Sequence, residues 1–364
     1  MFSVLKTKEK IILPLRSVYK KYGYSEYTVN KFEEYDLYAK NKDFLVSGRV
    51  ITFTDTDGKL LALKPDVTLS IIKNCKNIEG TKKYFYDESV FRVSGGTGAF
   101  KEITQAGLEC LGKVDDYQIY EVLFLALSSL SCFSKEFVLY LSDLDIVTAI
   151  MDKAKLSIEA KNKILNCLSS KSISGVKETC LENGICAEDE KLLVSLIKTN
   201  GNYEKVKDVL NSFVVDEKSK IAVERFNKIL SLLSATEYGK NIVVDFSVVN
   251  DVNYYNGIVF NGFIEGVPTS VLSGGQYDNL MIKMGKNGCA IGFAVYANRL
   301  ENLFIDKENE KIAYLIYGND TPLEEIFCAF KKLSQKYNSV KAQTSRPEED
   351  GAVVVDLTKG EKVC

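Results

Sequence analysis

KEITQAGLECLG, residues 101–112, decides how this chain reads. From Gln105 to Gly112 the stretch predicts a strand, and strand periodicity puts Gln105, Gly107 and Glu109 on one face. A strand face carrying Gln and Glu is ordinarily a solvated one. Upstream, YFYDESVFRV (84–93) predicts the partner strand, joined through a glycine-rich turn over Ser94–Gly98. That turn is not a dinucleotide-binding fingerprint, because Gly95-Gly96-Thr97-Gly98 lacks both the spacing and the βαβ setting. Taken alone, it is a flexible hairpin tip. Asp57-Gly58 is a tight-turn signal between two short strand segments, 44–53 and 59–63. Leu63-Lys64-Pro65-Asp66-Val67-Thr68 then offers Asp66 or Thr68 as the N-cap of a helix over 67–75.

Farther out, a helical stripe of Ile11, Leu15, Val18, Tyr19 and Tyr22 ends before Gly23, and Asp116–Cys132 reads as a mostly apolar helix. Residues 143–238 change character: Lys, Glu and Ser dominate, proline is absent, and Ala222, Phe226, Ile229, Leu230 and Leu233 recur at helical spacing. Strand composition returns at 241–249, 258–264 and 289–295. Residues 311–364 read as a small βαββ unit with a helix over 323–336. The architecture expected is α+β, an antiparallel sheet flanked by helices. Its core is assigned to 1–142 and 239–305, with a helical insertion at 143–238 and a C-terminal unit at 306–364.

Composition excludes several classes of chemistry. The 364 residues are 46% hydrophobic and 26% charged, which fits a globular chain with a sizeable core. Lys plus Arg total 47 against 49 Asp plus Glu, a net charge of −2 that argues against a dedicated nucleic-acid surface. There is no histidine and no tryptophan. Ser-His-Asp and Cys-His nucleophiles, His-ligated zinc and imidazole acid–base chemistry are therefore out of reach. Nine cysteines (75, 110, 132, 167, 180, 186, 289, 328 and 364) include no Cys-x-x-Cys pair. They read as reduced thiols of a cytoplasmic protein, with no metal site expected and no cofactor assigned. The strongest apolar run, Val122–Leu127, is far below the ~18 residues a membrane span needs.

The motifs taken together carry more than each alone. In order they are LRSVYKKYGY (15–24), LALKPDVT (61–68), YFYDESVFR (84–92) with KEITQAGLECLG, NDVNYYNGIVF (250–260), SGGQYDNL (273–280) and AIGFAVYANRL (290–300). This series resembles the catalytic core of histidyl-tRNA synthetases, a class II synthetase fold, over most of 10–132 and 240–300. The resemblance implies that Asp66, Thr68 and Gln105 stand where the synthetases hold the α-amino group. Glu109, Tyr255 and Tyr277 match positions around the imidazole, and Tyr254 and Arg92 complete the expected histidine-binding set. Arg92 and Arg299 match the arginines of the second and third class II motifs.

The departures point away from aminoacylation. The family signature Arg-Gly-Leu-Asp-Tyr-Tyr becomes Asn250-Asp251-Val252-Asn253-Tyr254-Tyr255, without arginine. The Gly-Arg-Tyr-Arg-Glu-Phe loop becomes Gly98-Ala99-Phe100-Lys101-Glu102-Ile103, which loses a second phosphate-facing arginine. In the family these guanidiniums stabilise charge on the α-phosphate during adenylate formation, so each loss should cost on the order of 10²–10³ in rate. After the core only Glu301–Cys364 follows, against an anticodon-binding domain of roughly a hundred residues in the synthetases.

A chain that keeps the amino-acid pocket and loses activation and tRNA binding looks like the regulatory subunits of ATP phosphoribosyltransferase, a family paralogous to the synthetases. That resemblance implies a non-catalytic histidine-sensing subunit of histidine biosynthesis. It would pair with a short-form catalytic subunit in a hetero-octamer and self-associate as a dimer through residues 10–36, without tRNA or membrane. The proline usual late in the first motif is missing from that segment, where Thr28-Val29-Asn30 stands. Absence of His fits a protein made during histidine starvation. A divergent minimal histidyl-tRNA synthetase and a paralogue binding a different amino acid are the competing expectations.

Overall fold

The computed structural model describes residues 5–42, 45, 49–75, 79–93, 98–249, 254–304, 312–347 and 353–360. The glycine-rich turn 94–97 and the 250–253 part of the altered family signature lie outside them. Residues up to Phe304 cluster into one compact unit and the residues after it into a second.

The N-terminal apolar stripe folds as α1 (Thr7–Lys21) and buries Ile11, Ile12, Leu15 and Tyr19. Next come β1 (Ser25–Glu26), β2 (Phe32–Glu34), α2 (Tyr35–Lys40), β3 (Thr52–Thr54) and β4 (Leu60–Leu63). Strands β2, β4 and β3 form a small antiparallel sheet. Gly58 turns the β3–β4 hairpin with a φ of 80°, a conformation open to glycine at little steric cost. The ladder there is shorter than the sequence suggests, and α3 (Thr68–Asn74) follows directly.

Strands β5 (Thr81–Val93) and β6 (Phe100–Gly112) pair antiparallel over their whole length. α4 (Asp116–Ser131) follows, packed on the strands later in the chain, its first turn closed by Asp115 accepting from the Tyr117 N–H at 2.9 Å. β7 (Phe137–Asp143) leads into helices α5 (Leu144–Lys153), α6 (Ile158–Ser169), α7 (Ile173–Glu182) and α8 (Ala187–Lys198). β8 (Asn200–Gly201), α9 (Tyr203–Asn211), α10 (Glu217–Ser234) and β9 (Ile242–Asp245) return the chain to the sheet. β10 (Asn256–Ile264), β11 (Leu272–Gln276), α11 (Asp278–Lys283), β12 (Cys289–Tyr296) and α12 (Ala297–Leu300) complete the first unit.

Among the described residues nine strands make the main sheet, in the order β1-β5-β6-β12-β11-β10-β7-β9-β8. The expected antiparallel character holds through its centre, while β1–β5 and β7–β9 pair in parallel. The sequence reading misses β7 (FVLYLSD) and β11 (LSGGQ), and with them the short β1, β2 and β8. Residues 241–249 form a strand only over 242–245, because the chain turns where the Ser247 N–H bonds Asp245 at 2.9 Å.

The sheet is buried on both faces. Ala106, Leu108 and Cys110 of β6 join the large core with α1 and α4, whereas Leu111 joins a second cluster with α3 and α11. Ile164, Leu196 and Phe226 of the helical segment belong to that same large core. Among the described residues no helix is long and apolar enough to cross a membrane. The second unit contains β13 (Ile312–Ile316), α13 (Leu323–Lys336), β14 (Ser339–Gln343) and β15 (Val353–Asp356). Its sheet is parallel, in the order β14-β13-β15.

Candidate functional site

The β6 face that carries Gln105, Gly107 and Glu109 is not solvated: Gln105 is 3% and Glu109 2% exposed. Antiparallel register lays Tyr86 of β5 across from Gly107, and Gly292 of β12 across from Glu109. These strands floor one cavity. The structure brings every residue of the expected set to its lining. Asp66 and Thr68 come from the start of α3, Arg92 from β5, and Gln105 and Glu109 from β6. Tyr254 and Tyr255 come from the turn before β10, and Tyr277 from the end of β11. Arg299 does not reach the lining; it stacks 4.2 Å from the centroid of Tyr296 and donates to the Ser270 carbonyl.

Glu109 is the hub. One carboxyl oxygen accepts from the Thr68 hydroxyl at 2.6 Å and the other from the Tyr277 hydroxyl. Burial pushes this carboxyl up to about 8, and the nearby Asp66 charge adds to the shift against the two hydroxyl bonds. At neutral pH the group is therefore largely protonated and able to donate as well as accept. Burial also raises Asp66, opposed by Arg92 and by the Leu69 N–H, which donates to it at 2.9 Å. Arg92 stands 3.6 Å from Asp66 and anchors its own Nε on the Pro65 carbonyl at 2.8 Å.

The walls are phenolic. Tyr254 lies 4.6 Å from Tyr255 and 5.9 Å from Tyr277, centroid to centroid. Burial raises all three hydroxyls well above the ordinary tyrosine value, and negative neighbours reinforce it, so each stays a neutral donor or acceptor. Glycine makes the room. A Cβ built on Gly292 would sit 1.9 Å from a Glu109 oxygen, and one on Gly107 would sit 2.4 Å from the Phe293 carbonyl oxygen.

A buried acid held by two hydroxyls, a second acid beside Arg92, and flat ring walls suit a small ligand rich in N–H donors. Sequence reasoning missed Tyr86, Ser273, Tyr296 and the floor positions 292–294. Their signal is register: once Glu109 pairs with Gly292, the alternate β12 residues must face the cavity. Pairing across nearly two hundred residues is not readable from one sequence. Among the described residues no group of three or more Cys, Asp or Glu could hold a metal ion.

Comparison with known proteins agrees with this geometry. A family model for histidyl-tRNA synthetase matches residues 4–300. An ATP phosphoribosyltransferase regulatory subunit of Clostridium kluyveri is 28% identical over 354 residues, covering 92% of this chain and 89% of that one. Its counterpart in Clostridium acetobutylicum is 27% identical, with 92% and 85% covered. A solved structure described as an ATP phosphoribosyltransferase regulatory subunit/histidyl-tRNA synthetase from Bacillus halodurans superposes with a TM-score of 0.78 at 22% identity. It covers 96% of this chain and 94% of its own. A chain of the ATP phosphoribosyl transferase (HisG:HisZ) complex from Thermotoga maritima gives 0.63 at 17% identity, covering 80% and 97%. The fold expected from the motifs is thus the fold found, the expected resemblance to regulatory subunits is met by relatives aligned over nearly the whole length, and the chain belongs to the histidyl-tRNA synthetase family.

Proposed function

We propose that this chain is the regulatory subunit of an ATP phosphoribosyltransferase, that it senses L-histidine in the Glu109 cavity, and that it does not aminoacylate. The observation that carries the reading is an asymmetry. Asp66, Thr68, Gln105, Glu109 and Tyr277 are assembled in contact range around one buried cavity. At the same time, Asn250 and Ala99 occupy the positions of two arginines that the synthetases use on phosphate. Binding an amino acid needs only the first group. Activating it needs preorganised positive charge at the α-phosphate, where a missing donor costs on the order of 10²–10³ in rate.

In this reading the imidazole reaches Glu109 between the tyrosine walls and the α-ammonium reaches Asp66. Histidine shifts the complex toward an inhibited state by binding that state more tightly. The partner is a short-form catalytic subunit met in the cytoplasm, in a hetero-octamer built on dimers of this chain. The deciding experiment pairs L-histidine calorimetry with histidine-dependent ATP–pyrophosphate exchange on the purified full chain. Binding without exchange is expected. Exchange within about tenfold of ordinary enzyme turnover, ~1–10³ per second, would overturn the reading. It would favour the alternative of a divergent synthetase, for which Arg92 in the cavity lining is the supporting observation. Failure to bind histidine would leave the sensory role without a site.

A further inference from the structure

Helix α13 packs Ala329, Leu333 and half-buried Ile326 onto its own three-stranded sheet, which accounts for one face. A second apolar stripe runs along its flank. Leu323 is 79%, Phe327 69% and Phe330 36% exposed. With Ser334 they recur at intervals of four, three and four residues, the seam of a two-helix contact. The same unit already has its core, so a stripe with two aromatic rings in water is an unsatisfied surface.

We infer that this stripe is a two-fold self-association surface, occupied by α13 of a second copy of the same chain, antiparallel. Charge placement selects that occupant. Glu324 and Lys331 flank the seam on the same side, one position beyond Leu323 and Phe330. In an antiparallel pair the same flank of both helices meets, so Glu324 of each copy faces Lys331 of the other, twice by symmetry. In a parallel pair that flank would instead meet the edge holding Ile326 and Leu333, which already pack on the sheet. The pattern is complementary to itself only when one copy is inverted. A seam of about three turns is well short of the ~800 Å² per partner of a standard interface, so the contact is weak and acts between copies already held near one another.

The test is sedimentation velocity of the full chain across about 10 µM to 1 mM, the affinity range open to so small a contact. Phe327→Asp, at an exposed position, should remove one association step that the wild type shows. Glu324→Lys and Lys331→Glu alone should each weaken that step by about tenfold, since two exposed ion pairs turn repulsive. The double variant Glu324→Lys/Lys331→Glu should restore it, and so should an equimolar mixture of the two single variants. No step removed by Phe327→Asp, or no rescue in either the double variant or the mixture, would overturn the inference. Loss of binding to a catalytic subunit with self-association intact would assign the stripe to a heterologous partner and overturn it equally.

Discussion

Replacing Glu109 by Gln separates the cost of burying an acid from the shape of the cavity. The carboxyl titrates at about 8 in the fold against an ordinary value of 4.5. Between those values the folded chain keeps a proton that the unfolded chain has already released. Because the folded state binds more protons, stability falls as pH rises through that window and levels off above it. At 1.36 kcal/mol per unit, titration from pH 5 to pH 8 costs about 3 to 4 kcal/mol. Gln has the shape of the protonated acid: its carbonyl accepts from one hydroxyl, and its amide N–H donates to the oxygen of the other, whose own hydrogen turns away. It carries no titration. Urea unfolding of the ligand-free full chain should therefore give nearly equal stabilities at pH 5. At pH 8 the Glu109→Gln variant should be the more stable by about 3 kcal/mol. Burial also raises Asp143, to about 6, but that acid sits in both proteins and cancels in the difference. Parallel pH profiles for the two proteins would refute the reasoning, because they would mean that Glu109 ionises in place at no cost.

The remaining expectations use other contacts of the same site and its frame. Glu109→Ala removes the buried hydrogen-bond partner of the imidazole and should weaken histidine binding at least tenfold by calorimetry, with capture of a catalytic subunit unchanged. Gly292→Ala drives a methyl into the Glu109 carboxyl, 1.9 Å away as built. The variant should lose about 1–3 kcal/mol in urea unfolding and most of its histidine affinity. Lys64 is 0% exposed and holds Glu88 at 2.9 Å. Lys64→Met should destabilise the chain by about 3 kcal/mol, with only part recovered in Lys64→Met/Glu88→Leu, because Glu88 also accepts from the Val29 N–H at 3.0 Å.

How much was legible follows from where each signal resides. The stripe Ala222, Phe226, Ile229, Leu230 and Leu233 is local, and all five side chains are buried in α10. The alternation in KEITQAGLECLG is local too, and it assigns the residues to two faces correctly. Whether the polar face meets water is not local, because α3, α11 and the 254–255 turn that cover it come from elsewhere in the chain. β7 carried a readable alternation of Phe137, Leu139 and Leu141 between two helices. Its parallel partner lies about a hundred residues on, with Leu139 beside Ile242, and no sequence rule states that pairing. β11 was hidden by composition, since Ser-Gly-Gly has low strand propensity.

Those glycines also explain why the cavity exists at all. Gly107, Gly275 and Gly292 occupy the same face of three neighbouring positions in the sheet centre, where side chains would ordinarily stand. Cβ atoms built there would meet Tyr86, Tyr255 and Glu109 at 2.6, 2.8 and 1.9 Å. Glycine in a strand costs roughly 0.5–1 kcal/mol relative to alanine, so a sheet selected for stability alone would fill these positions. Three such costs in one patch make sense if the space above the floor has to stay open. Around it Glu109 is held by two hydroxyls and Asp66 by a guanidinium and a backbone N–H. The polar groups are fixed before any ligand arrives, and little ordering entropy is left for binding to overcome. A Cβ at any of the three would displace a group that lines the cavity, Tyr86, Tyr255 or Glu109. That the cavity stands open and lined by satisfied acids is the physical ground for reading it as a working binding site.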